Sequence, residues 1–406
     1  MTHTDIDTGS DTAGDREADA GSETTTDRAA TVSGTSTDQD VGATSGALER
    51  HASGVVKRRL LAGATSALAV PVVAVVAALA VGAVLLVLID LSPIDVYRDV
   101  FDGVFVANRG LTDTATAATP VVLIGLGYSI AYHARVYTIG AEGVYLMGAI
   151  AAIGAVTAPG LRDLGTLPLV VLGLVAAALA GLAWSAIAGW LNVRFGASVV
   201  ISSLMLVYVA QAILQWSNRV GLRDPESFVA ASRRVGNAEL PDLPFIDVHL
   251  GFGIAVLAAP LLWWVRNRTR FGFRTTVLGA NPEALDANEI RSGRVIILVL
   301  AVAGVLAGLA GFVETAGVTG RLNDSASVGY GFTAIVVALV GRLHPIGVLV
   351  AGLALSALDI GFEVAARASD LPSSMAGLIQ VLVVVFVVAG DAVLDGIRRR
   401  AAGGRS

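Results

Sequence analysis

A chain of 406 residues with 54% hydrophobic and only 15% charged side chains, and a mean hydropathy of +0.72, excludes an ordinary soluble protein, in which about a quarter of residues are charged. The net charge of −5 is uneven: residues 1–50 hold eleven acids and three arginines, a net of −8, which leaves +3 for the rest. The absence of cysteine excludes disulfides, thiolate metal sites and a cysteine nucleophile.

Residues 1–55 are rich in Thr, Ser, Asp, Gly and Ala and nearly free of large apolar side chains. Such a segment cannot bury enough surface to offset its ordering entropy, and a disordered acidic tail is expected. One lysine, Lys57, stands against 27 arginines; this bias and the acidic tail fit a salt-adapted prokaryote. Lys57-Arg58-Arg59 precedes an apolar run over 61–89. That run exceeds the roughly 7–15 apolar residues of a secretory signal, so it reads as a membrane anchor with its basic end in the cytoplasm. The chain divides into a tail over 1–55, a transmembrane body over 56–397 and a basic tail over 398–406.

Further apolar runs fall at 114–132, 142–158, 167–191, 197–216, 248–265, 294–316, 330–341, 346–364 and 374–390. With the first they predict an all-α polytopic membrane protein of about ten transmembrane helices. The 330–341 run is too short to cross as a straight helix and is expected to be broken or re-entrant. Such backbone is tolerated at membrane depth only inside protein or along a cavity. Alternation from a cytoplasmic N-terminus puts sixteen basic residues inside and nine outside, which favours both termini in the cytoplasm. Ala303-Gly304, Ala307-Gly308 and Gly311 repeat at small-xxx-small spacing, which lets helices approach closely. The Gly-centred segments 139–143 and 329–332 occupy comparable places in two halves, as in a duplicated transporter.

Much chemistry is excluded. A phosphate-binding P-loop needs a lysine after its glycines, and Lys57 is in no such context. The histidines show no zinc spacing and no nucleophile elbow is present, so neither a metal, a cofactor nor an enzyme is expected. Nothing marks a nucleic-acid partner.

Glu142 begins a span between glycines. A charge within the bilayer costs at least about 2.5–3.5 kcal/mol, so it is either functional or an interfacial acid solvated by the cytoplasm. Glu314, Asp359 and Glu363 lie near span ends, where interfacial solvation is expected. On the span over 197–216, Ser203, Tyr208 and Gln211 share an arc of roughly 140°, with Ser202 off it. This face either glues helices or lines a substrate path. In the loop over 266–293, Asn281 suits an N-cap, Pro282 the first helical position and Glu283 the helix dipole. A short capped helix there has the shape of a docking surface; the alternative is a connector whose arginines enforce topology.

Four stretches together resemble the permease subunits of ATP-binding-cassette importers for nucleosides and simple sugars, the branched-chain-amino-acid/ribose type. They are Tyr-Thr-Ile-Gly-Ala-Glu-Gly-Val-Tyr-Leu-Met-Gly-Ala-Ile over 137–150, the Val-Ile-Ser-Ser-Leu-Met-Leu-Val-Tyr-Val stretch over 200–209, the loop over 271–290, and the run over 302–350 with Gly-Tyr-Gly-Phe and His-Pro-Ile-Gly. Thr138, Val144, Val199 and Val207 depart from the family's polar residues near its path, and Leu285 and Glu289 replace small residues of its coupling loop. The resemblance implies a substrate pathway at Gly140, Glu142, Ser202, Ser203, Tyr208, Gln211, Tyr330, Phe332 and Thr333. It implies an ATPase-coupling loop at Gly279, Asn281, Glu283, Ala284 and Asn288. It also implies a second permease subunit, ATP-binding-cassette ATPase subunits, an external substrate-binding protein that meets the outer loops (notably 218–247), and a nucleoside or simple sugar carried by alternating access. A self-sufficient secondary transporter or channel is the alternative, for which Glu142 is the sole candidate coupling group.

Overall fold

The structure, a computed structural model, describes residues 73–390 apart from 74, 162, 163, 245, 328, 370, 371, 373, 376 and 387. The acidic tail, Lys57 to Arg59, the first part of the first apolar run and the basic C-terminal tail lie outside the described residues.

All ten apolar runs contain helix. Helix α1 (Val75–Leu88) is followed by α2 (Pro93–Phe105), α3 (Gly110–His133), α4 (Ala141–Val156), α5 (Thr166–Phe195) and α6 (Val199–Trp216). Then come α7 (Leu250–Arg268), α8 (Arg270–Ala280), α9 (Pro282–Asp286), α10 (Ser292–Glu314), α11 (Tyr330–Val340) and α12 (Pro345–Ala368). A last helix, α13, covers residues 377–386. Six of these are long and apolar enough to cross a membrane: α3, α5, α7, α12, and α6 and α10 together with the π-turns that extend them to Gly221 and Thr319.

Two helices go beyond the sequence reading. Helix α2 is short and amphipathic; Ser92 caps it, Pro93 opens it, and it buries Val96, Gly103 and Val104. Helix α8 fills part of the loop over 266–293, for which the sequence predicts only the short helix at Asn281, with the Thr269 side chain accepting from the Gly272 amide.

Helix α3 lies at the centre, most of its residues buried. Helix α10 packs on it, on α4 and on α5, and glycines set those distances. A Cβ at Gly308 would lie 2.3 Å from the Ala177 carbonyl oxygen, one at Gly304 2.4 Å from that of Gly181, and one at Gly311 2.1 Å from that of Tyr145. Close backbone approach gains the van der Waals contact that drives helix association in lipid, where apolar burial does not. Ser185 adds a hydrogen bond across the α5–α10 seam to the Leu300 carbonyl, 2.7 Å.

Helices α5 and α10 run antiparallel, since Gly173 faces Phe312 and Gly189 faces Ile297 and Leu300. By the same kind of contact, α3, α5, α7 and α11 end, and α6, α10 and α12 begin, at one end of the bundle. That end carries Arg135, Arg194, Arg266, Arg268, Arg270, Arg274, Arg291, Arg294 and Arg342. At the other end the loop between α6 and α7 folds into a small antiparallel hairpin that pairs Asp242 with His249.

Candidate functional site

Helices α4 and α11 start inside the bundle rather than at either end. After α3 the chain turns at Arg135, which has a positive φ of 55°, and residues 136–139 pass back beside the last turn of α3 without regular structure. The Tyr132 hydroxyl donates to the Thr138 carbonyl, 3.0 Å. Helix α4 then begins beside α6, because glycines remove every obstacle: a Cβ at Gly140 would come within 2.6 Å of Ser203 Cβ, and one at Gly143 within 2.9 Å of Val207 Cα. From there α4 runs away from the arginine end. Helix α11 starts next to it and runs the opposite way, toward the arginine end. Its N-cap, Gly329, has φ +88°, a left-handed conformation that glycine adopts without the steric cost of a Cβ. Nine residues separate Gly331 from Val340, so at 1.5 Å per residue the junction sits roughly 14 Å inside the bundle.

Two half-helices thus meet N-terminus to N-terminus, and the Glu142 carboxylate lies between them. It is fully buried. One oxygen accepts from the Ser327 hydroxyl and the Gly329 amide, both 3.0 Å, and the other from the Gly331 amide, 2.7 Å. Helix N-termini carry the positive ends of peptide dipoles and unpaired N–H groups. A buried carboxylate there satisfies those donors without a cationic partner, and no salt bridge to Glu142 occurs among the described residues. The fit is tight, since a Cβ on Gly331 would lie 2.4 Å from the Glu142 nitrogen. The cytoplasm-solvated alternative for Glu142 is therefore incompatible with the structure.

The polar cluster extends outward. Gln211 donates to Ser327, 3.2 Å, which in turn donates to Glu142. Ser203 accepts from the Ile139 amide, 3.2 Å, and returns its proton to the Val200 carbonyl. Tyr330 donates to Glu314, 3.2 Å, and stacks edge-on against Tyr145, with ring centroids 5.7 Å apart. Glu314, expected to be solvated at a span end, is instead only 7% exposed, because the π-turn after it carries α10 onward past the loop that feeds α11. Glu363 does lie exposed and pairs with Arg367 one turn on.

Gly140, Glu142, Ser203, Gln211 and Tyr330 therefore converge. Ser202 does not join them; its hydroxyl folds back on the Ser198 and Val199 carbonyls of its own helix. Tyr208, Phe332 and Thr333 lie on the exposed faces of α6 and α11. The arc drawn on α6 combined two different surroundings, an inner side bearing Ser203 and Gln211 and an outer one bearing Tyr208. Sequence reading missed Ser327 and placed Glu314 at a solvated span end. The Gly-Tyr-Gly run marked the segment, but nothing local distinguishes Ser327 from a loop serine.

At the arginine end, Asn281 caps α9 by accepting from the Glu283 amide, 2.9 Å, as the sequence predicts. Asn288 closes the helix on the Ala284 carbonyl, 2.8 Å. Gly279 lies flat against the end of α3, where a Cβ would come within 2.5 Å of the His133 carbonyl oxygen. Leu285 points inward and is buried, so it anchors α9 to the core and leaves Glu283, Asp286 and Glu289 on the outer surface.

Asp286 accepts from both the amide and the hydroxyl of Ser292, 2.8 Å each, and these bonds hold its carboxyl below the usual range. A depressed carboxylate pKa contributes stability that is complete above the unfolded value and lost as pH falls through the folded one. At neutral pH, Asp286→Asn is expected to speed exchange of the Ser292 amide. Hydrogen-exchange mass spectrometry on a peptide spanning Ser292 measures this, and the wild-type protection factor, corrected for intrinsic exchange, should fall toward the variant's as the pH is lowered.

The family profile described as the permease component of the branched-chain amino acid transport system matches residues 110–388. The chain is 34% identical to the glucose ABC transporter permease protein TsgB13 of Haloferax volcanii, over 79% of this chain and 87% of that one. It is 30% identical to the guanosine ABC transporter permease protein NupP of Bacillus subtilis, over 81% and 95%. It is 31% identical to the nucleoside ABC transporter permease protein NupB of Lactococcus lactis, over 72% and 83%. Each of these three organisms also supplies a second, more distant permease relative. No solved structure is a significant match to the chain.

Proposed function

The chain belongs to the branched-chain amino acid transport system permease family, and from that premise we propose that it carries a neutral, hydroxyl-rich solute, a simple sugar or a nucleoside, through an ATP-binding-cassette importer. The observation behind this substrate class is the junction of α4 and α11. Two half-helix N-termini at membrane depth would by themselves favour an anion. Here Glu142 already occupies them, and what surrounds it (Ser327, Gln211, Tyr330) exchanges hydrogen bonds without net positive charge. The relatives named for glucose, guanosine and nucleosides handle solutes of that kind.

The arginine-rich end faces the cytoplasm by the positive-inside rule, with both termini on that side. The pathway runs between this chain and a second, related permease, since the relatives occur in pairs within one organism. The exposed Tyr208, Phe332 and Thr333 form its wall, and the Glu142 cluster sits behind them as the element that opens and closes. ATP hydrolysis belongs to separate subunits docked on α8 and α9, and an external binding protein meets the loop between α6 and α7.

Two measurements test this reading. ATP-dependent uptake of glucose or guanosine is expected in proteoliposomes that hold this chain with its second permease, ATPase and binding protein. Uptake of leucine in place of both, or uptake by this chain alone, would overturn it. Replacing Asn281 to Asn288 by a Gly-Ser linker of equal length is expected to abolish co-purification of the ATPase while membrane insertion persists; unchanged co-purification would remove the coupling role.

A further inference from the structure

Helix α2 divides into three faces. Val96, Val100, Gly103 and Val104 fill a sector of roughly 100° that packs on α12. A Cβ on Gly103 would lie 2.8 Å from Val364 Cβ, and one on Gly361 2.7 Å from Val100 Cγ1. Arg98, Asp102, Asp95 and Asp99 fill a second sector of roughly 100°; Arg98 pairs with Asp102 at 3.6 Å, and Asp99 accepts from the Ser369 hydroxyl. Between the two, within about 40°, stand Ile94, Phe101 and Phe105, which are 79%, 57% and 59% exposed.

The depth of α2 is set by its neighbours. Its end abuts the first residue of α3, since a Cβ on Gly110 would lie 2.1 Å from the Gly103 carbonyl oxygen. Its contacts on α12 fall between Gly361 and Ser369, where that helix ends. Helix α3 has 24 residues, roughly 36 Å of helix against a hydrocarbon core of about 30 Å. Its first turn therefore lies at the edge of the bilayer, and α2 lies there with it.

At thirteen residues α2 is too short to cross, and its charged face is costly to bury in lipid. A helix held at that edge with charges on one side turns its free apolar side to acyl chains. The exposed Val87 and Leu88 that close α1 and the exposed Leu111 that follows in α3 continue the apolar surface on both sides along the chain. Helix α2 packs on α12 and α3, whereas α6 packs on α4 and α5, so this face is not part of the wall that Tyr208 forms.

We propose that α2 lies in the plane of the outer leaflet at the boundary of headgroups and acyl chains, with Ile94, Phe101 and Phe105 against lipid and Asp95, Arg98 and Asp102 in water. The choice of leaflet rests on the cytoplasmic placement of the arginine end; the in-plane position does not.

The chain has no cysteine, so Ile94→Cys, Phe101→Cys, Phe105→Cys, Asp95→Cys and Arg98→Cys each take a single nitroxide. Each labelled chain is checked for wild-type elution in size exclusion and assembled with its partners in nanodiscs. Power-saturation spin resonance then measures collisions with oxygen, which concentrates in hydrocarbon, and with a nickel chelate, which stays in water. The ratio of oxygen to nickel accessibility is expected to be at least fivefold higher at 94, 101 and 105 than at 95 and 98. Equal ratios would place both faces in water and overturn the proposal. Exclusion of both reagents from 94, 101 and 105 would also overturn it and assign the face to a protein partner. The leaflet is read separately: an impermeant maleimide is expected to react with Asp95→Cys in intact cells. Reaction only after lysis, with the accessibility contrast preserved, would overturn the outer leaflet together with the orientation of the bundle and leave the in-plane position standing.

Discussion

Glu142→Gln is expected to lower ATP-driven uptake by at least tenfold while ATP hydrolysis continues, so that fewer solute molecules move per ATP. The carboxylate accepts three hydrogen bonds, two of them from the amides of Gly329 and Gly331. A glutamine keeps one acceptor oxygen and turns its NH₂ against an N–H of the α11 terminus. A buried donor left unpaired costs about 1–3 kcal/mol, and the lost charge removes a further 0.3–1 kcal/mol or so of interaction with the helix dipole. At about 1.4 kcal/mol per factor of ten, the closed junction loses roughly one to three orders of magnitude in its equilibrium. On the proposed reading that junction re-forms in every transport cycle, whereas the ATPase would dock on α8 and α9, away from it. Uptake and phosphate release measured on the same proteoliposomes give the ratio. A purely structural role would instead lower the yield of assembled transporter and leave uptake per complex at the wild-type level.

Gly308→Val is expected to destabilise the bundle by about 3 kcal/mol or more, at the upper end for overpacking. A Cβ there would sit 2.3 Å from the Ala177 carbonyl oxygen, and α4 presses on the same residue, since a Cβ on Gly148 would lie 2.4 Å from Gly308 Cα. Neither neighbour can yield, because both contacts are backbone and α10 is held between α4 and α5. A fall of roughly 6–12 °C in the thermal midpoint of the purified protein follows from about 2–4 °C per kcal/mol. Gly377→Ala is the control: nothing lies within 4 Å of a Cβ there, and the exchange gains helix propensity. Equal midpoints for the two variants would show that the α4–α10–α5 contacts do not set the stability.

Several features could be read without coordinates because the physics that sets them is local. Twenty apolar residues in a row, arginines beyond them and Asn-Pro-Glu at a helix start each fix their outcome within a few positions of the chain. The ten apolar runs, the α9 cap and the Gly-rich seam of α10 are of this kind. Residue 330 onward was legible as too short to cross, for the same reason.

The environment of each polar residue was not local. Glu142 and Glu314 both read as acids near span ends, where water solvates a carboxylate. Both are buried, because the chain re-enters the bundle after α3 and again before α11, and the short 330–341 run signals only the second re-entry and not which side chains it encloses. Tyr208 and Gln211 lie less than a turn apart, yet one is exposed and the other bonds a serine 116 residues away. The sequence by itself determined that this is a helical membrane permease without a phosphate-binding P-loop motif. Only the tertiary structure decided that α4 and α11 meet head to head on one carboxylate, because that depends on which distant backbone amides are brought to it.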